Sequence, residues 1–154
     1  MPGYIVYKND TLSGYISFKN EKVEVYDLLF NKAGTYKPND KELRTIFLSD
    51  NAGRQLTLTK LGNKDEHFYR VVHSGKLNLY DNHFTFNYKA SGVNITDMAV
   101  LSGNKVKNVS FWPVNAKRKL AGYINKTYNT NLDPKEYSKK ELLAYIAKLD
   151  QPIN

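Results

Sequence analysis

The chain has 154 residues, with 23 Lys and Arg against 15 Asp and Glu, a formal charge of +8, and no Cys. A chain of that size makes one domain and can bury about 68–70% of its unfolded surface without a covalent or metal staple. The missing thiols exclude disulfide scaffolds, cysteine-ligated zinc, iron–sulfur clusters and thiol catalysis, and no apolar run approaches the ~18 residues that a spanning helix needs.

From residue 3 to about 112 the sequence reads as strand after strand. Tyr4-Ile5-Val6-Tyr7 is a short aromatic and β-branched run closed by Lys8-Asn9-Asp10, and Tyr15, Ile16 and Phe18 mark its hairpin partner. Val23 to Leu28 makes a third strand, ended by the turn-rich Asn31-Lys32-Ala33-Gly34, and Thr35-Tyr36-Lys37 starts a short fourth before Pro38. Leu43–Leu48 and Gln55–Leu61 flank the turn Ser49–Gly53; in the second of these, Leu56, Leu58 and the aliphatic part of Lys60 share one face. Phe68–Val72, Leu77–Tyr80 and the alternating Phe84, Phe86, Tyr88 follow, then an ambiguous stretch from Val93 to Leu101 and a last strand within Lys105–Trp112, which Pro113 ends.

The period then changes. Leu120, Tyr123, Ile124 and Tyr128 recur at helical spacing behind Asn115, an N-cap residue type, although Gly122 makes this helix dependent on packing. Ser138-Lys139-Lys140-Glu141 is a capping box, followed by the stripe Leu142, Leu143, Tyr145, Ile146 and Leu149. Strands and helices segregate instead of alternating. The expectation is therefore α+β: an antiparallel, strongly twisted sheet or partly open barrel of eight to ten strands, with two short C-terminal helices packed on it. The organisation expected is a single domain over residues 1–154, β-rich over 3–112 and capped by helices over 115–150.

Motifs for chemistry are sparse. His67 and His73 would lie about 20 Å apart along one strand, too far to share an ion, and His83 supplies no third ligand. Asp10, Asp40, Asp50 and Asp81 fall at turns, where Asp serves the backbone. Neither phosphate-cradling glycine motif nor G-x-S-x-G occurs. No catalytic, metal-binding or cofactor-binding residue follows from the sequence.

Charge is more informative. Met98 to Leu132 holds no acid but six cations, Lys105, Lys107, Lys117, Arg118, Lys119 and Lys126. Twelve Tyr, seven Phe and one Trp accompany them along the chain. The candidate binding patch is accordingly Lys105, Lys107, Trp112, Lys117, Arg118, Lys119, Tyr123 and Lys126: cations beside aromatics suit a polyanion or a stacking ligand, while the same residues also make an ordinary solvated face over an aromatic core.

Gly3-Tyr4-Ile5-Val6 with Asn9-Asp10-Thr11-Leu12-Ser13-Gly14-Tyr15-Ile16, then Tyr36-Lys37-Pro38-Asn39-Asp40, Gly75-Lys76-Leu77-Asn78-Leu79-Tyr80 and Tyr128-Asn129, together resemble segments of an uncharacterised family of exported, β-rich proteins of Bacteroidetes-type bacteria. The chain departs from that pattern in lacking a Gly between Asn9 and Asp10 and in placing Lys41-Glu42 directly after Asp40. The resemblance implies a periplasmic or cell-envelope location and a β-rich domain, and transfers no activity. Met1-Pro2-Gly3-Tyr4 opens without the charged and apolar regions of a signal peptide, so the alternative location is cytoplasmic. The leading expectation for function is a non-catalytic envelope domain that binds a protein or glycan partner. Its alternatives are a nucleic-acid-binding module using the basic 103–140 segment and a hydrolase of unassigned type.

Overall fold

The computed structural model describes residues 1–61, 68–81, 98–102, 105–108 and 113–151, with backbone alone at 98, 102, 105–108 and 113–115. Among the described residues ten strands come first: β1 (Pro2–Tyr7), β2 (Asp10–Lys19), β3 (Lys22–Tyr26), β4 (Lys32–Tyr36), β5 (Leu43–Ser49), β6 (Gln55–Lys60), β7 (Phe68–His73), β8 (Leu79–Asp81), β9 (Met98–Ser102) and β10 (Lys105–Asn108). Helix α1 (Pro113–Tyr128), a 3-10 turn (Pro134–Glu136) and α2 (Lys139–Leu149) follow. The hydrogen-bonded order is β10-β9-β8-β7-β6-β5-β1-β2-β3-β4, and its two ends do not pair, so the sheet is open and not a barrel. Every described register is antiparallel. The fold is α+β, as the segregation of strand and helix patterns requires. The expected strand at Phe84–Tyr88 lies outside the described residues.

The chain divides into two compact units, one containing Met1–Val71 and the other starting at Val72. In the first, β1–β2 and β2–β3 are joined by two-residue turns in which both central residues take positive φ: Lys8 at 49° and Asn9 at 65°, then Asn20 at 50° and Glu21 at 58°. That geometry matches the right-handed twist of the paired strands. The core is Ile5, Ile16, Val23, Val25, Leu43, Ile46, Leu48, Leu58 and Phe68. Leu43 and Ile46 are both buried although three residues apart. A register shift opposite Val6 and Tyr7 inserts the extra residue that puts them on the same face.

Two local expectations are corrected in this unit. Lys32-Ala33-Gly34 belongs to β4 and does not form the turn; the reversal is made by Asp27–Asn31, whose aspartate accepts backbone N–H groups from Leu29 and Asn31. Lys60 is buried to its tip, not only along its stem. Its Nζ donates to the Asp40 carbonyl at 2.7 Å and lies 4.8 Å from the centre of the Phe68 ring, so the ammonium exchanges water for a carbonyl and a π face.

In the second unit, Leu77 of the β7–β8 connection and Leu79 and Val100 of the sheet meet Ala116, Leu120 and Ile124 of α1 and Leu142 and Ile146 of α2. Helix α1 starts at Pro113, two residues ahead of the cap expected at Asn115. Proline lacks an N–H, and the first helical position has no partner for one, so the residue expected only to end a strand starts this helix. Helix α2 begins as its sequence requires: the Ser138 hydroxyl accepts from the Glu141 N–H at 3.2 Å, and the Glu141 carboxylate takes the Ser138 N–H at 3.4 Å.

Candidate functional site

Of the eight patch residues, Trp112 lies outside the described residues, and Lys105 and Lys107 are on the terminal strand β10. The other five are on α1. Positions 116, 120 and 124 of this helix are fully buried, and the spacing of four leaves 117, 121 and 125 beside them and 118 and 122 one step further round. These five line a groove of about 670 Å³ between α1 and the connection to α2, closed on the far side by Leu132, Pro134 and Lys135. Lys117 is half-buried and donates to the Tyr137 carbonyl at 3.1 Å, while Arg118 and Lys135 are exposed. Ala121, Leu132 and Pro134 supply the apolar surface. Gly122 keeps the wall low, since a Cβ there would meet no atom within 4 Å. Among the described residues no carboxylate lines the groove.

Asn125 makes this shape. Its Nδ2 donates to the Leu132 carbonyl at 3.1 Å, and its Oδ1 accepts from the Leu132 N–H at 2.8 Å and the Thr130 hydroxyl at 2.9 Å. A single amide thus folds 129–132 back along the helix and holds Leu132 in place. The sequence gives Asn125 no task, because its partners lie in a stretch without periodicity. Lys119 and Lys126 are exposed on the ridge beyond Gly122, outside the groove. Tyr123 is half-buried against the apolar cluster and does not line the groove.

A second cluster escaped sequence reading altogether. Asp150, at the C-cap of α2, receives the Tyr128 hydroxyl at 2.6 Å and faces His73 Nε2. The Tyr128 oxygen in turn accepts the Leu77 N–H at 3.2 Å. Gly75 leaves room for this contact: a Cβ at this position would lie 2.0 Å from Asp150 Oδ2 and 3.0 Å from His73 Nε2, so a larger residue would displace the carboxylate. Burial pushes the Asp150 carboxyl up, but hydrogen bonds from Tyr128, His73 and the Lys76 backbone together hold it below the ordinary carboxylate value. Burial and the same aspartate raise the Tyr128 hydroxyl to about 12. His73 Nε2, Asp150 Oδ2, the Tyr128 hydroxyl and the Leu77 N–H are thus engaged with one another, which makes the set a clasp between the ends of α1, α2 and the β7–β8 connection. The only signal in the sequence was that Gly75 and Tyr128 both fall in segments of the family resemblance.

Among the described residues no three His, Asp or Glu side chains converge as a metal site would need, and no helix is long and apolar enough to cross a membrane. No protein-family model, curated protein or solved structure matches the chain.

Proposed function

We propose that the protein is a non-catalytic binding module whose partner is another protein, held through an acidic segment laid along the groove of α1. The observation that carries this reading is the pairing of an apolar floor with a rim of Lys117, Arg118 and Lys135 and, among the described residues, no lining acid. Its volume lies within the ~300–1,000 Å³ of ligand pockets, and its composition, apolar lining with a few placed charges, is theirs too. A peptide with carboxylates flanking one aliphatic side chain satisfies both parts; a neutral glycan leaves the cations unused. Nucleic acid is less well served, because Tyr123 packs in part against the apolar cluster and is not among the residues that line the groove. A cell-envelope site of action is part of the proposal and rests on the sequence resemblance.

The test is fluorescence anisotropy with a labelled acidic peptide carrying one Leu among Glu residues. Arg118→Glu/Lys135→Glu should weaken binding at least tenfold, since both side chains are exposed and their reversal leaves the fold intact. Equal affinity for the variant, or no binding by the unaltered protein at low salt, would overturn the reading.

A further inference from the structure

Leu28, Leu29 and Phe30, at the turn between β3 and β4, are 79%, 81% and 68% exposed. Only one other large apolar side chain among the described residues is exposed, Leu12 at 37%. Single apolar residues are scattered over every protein surface, but three in a row at one tip are a patch. The tip is also built. The Asp27 N–H donates to the Asn31 carbonyl at 2.9 Å and the Phe30 N–H to the Asp27 carbonyl at 3.0 Å. Asp27 Oδ1 accepts the N–H groups of Leu29 and Asn31, both at 2.9 Å. The amides of residues 27, 29, 30 and 31 are thus satisfied inside the loop. Phe30 takes φ 61° and stacks on Tyr15 with ring centres 4.6 Å apart. At the foot of the hairpin Glu24 pairs with Lys32 at 2.8 Å and accepts the Tyr26 hydroxyl at 2.5 Å.

We propose that this hairpin tip docks the protein on an anionic lipid bilayer, with Leu28 and Leu29 entering the interface and Phe30 and Tyr15 at headgroup level. Four features favour lipid over a protein partner. Three side chains on a hairpin turn fall well short of the ~800 Å² that each partner gives a stable protein interface, whereas a bilayer needs no complementary surface. The internally bonded amides cost little to remove from water, which matters most where the new surroundings offer no hydrogen bonds. The net charge of +8 adds attraction to anionic headgroups. Aromatic rings at the base match the preference of such groups for the membrane–water boundary.

The chain has no Cys, so Leu29→Cys creates a unique thiol for an environment-sensitive fluorophore. Mixed phosphatidylcholine and phosphatidylglycerol vesicles should shift its emission to the blue, and a label at Lys22→Cys, on the exposed start of β3, should not respond. In co-sedimentation with the same vesicles, Leu28→Ser/Leu29→Ser should partition at least tenfold less than the unaltered protein while unfolding at the same temperature. The proposal is overturned if the unaltered protein stays in the supernatant, as a tip made for a protein pocket would, or if the serine variant sediments equally well.

Discussion

Asp150 keeps its charge against the cost of burial because Tyr128, His73 and the Lys76 amide all point at it. A carboxyl whose pKa is depressed by folding contributes stability that is complete above its ordinary value of 3.8 and disappears as the pH falls below it. Tyr128 acts at the other end of the scale. Its hydroxyl is raised from 10.0 to about 12, so its contribution is complete below pH 10 and is lost as the pH rises towards 12. Tyr128→Phe leaves the Leu77 N–H unpaired and takes one donor from Asp150. It should cost about 1–3 kcal/mol at neutral pH, and the difference between the two proteins should shrink from pH 10 to 12. Urea unfolding followed across that range measures it; a constant difference would mean that the hydroxyl has no special partner in the folded state.

At the scale of the element, the two primed turns show what local chemistry permits and what it only tolerates. Glu21 holds φ 58° in the β2–β3 turn, a region where a side chain costs roughly 1–2 kcal/mol. Glu21→Gly removes that strain, at the expense of a freer unfolded chain, and places the favoured Asn-Gly pair in the turn. The expected gain is about 0.5–1 kcal/mol, read as a higher urea midpoint at unchanged slope; a loss would show that Glu21 makes contacts worth more than its strain. The same contrast explains which elements were legible in the sequence. Helix α2 was, because its capping box and stripe act within a few residues of one another. The alternating strands were, because one face is buried. Asp27–Asn31 was misread because Asn31 and Gly34 have turn composition, while the residue that makes the reversal is an aspartate whose acceptors are used only once the chain has turned. The start of α1 was misplaced because Pro113 fits both a strand exit and a first helical turn. The groove was legible only as charge: Lys117 and Arg118 were identified, but not Leu132, Pro134 or Lys135, which join them through a side chain, Asn125, with no pattern around it. Asp150 and His73 are 77 positions apart, and no periodicity links them.

Over the whole molecule, charge is divided unevenly, and this separates two roles for the cations of α1. Residues 98–132 have no acid, and the exposed Lys119 and Lys126 lie on the helix that carries the groove without lining it. Charges outside the contact speed encounter and are screened by salt, with a Debye length of about 10 Å at 0.1 M. Charges that touch the ligand govern its escape. Lys119→Glu/Lys126→Glu should therefore slow association with the acidic peptide by about tenfold at low ionic strength and leave dissociation unchanged. The effect should fade as salt is added. Arg118→Glu/Lys135→Glu should instead raise the dissociation rate, and part of that change should persist at high salt, because the apolar floor excludes water from the contact. Stopped-flow traces at two ionic strengths distinguish the pairs. If both variants alter only association, the peptide is held by the general field of the helix and not by the groove, and Asn125, which shapes that groove, becomes a purely structural residue.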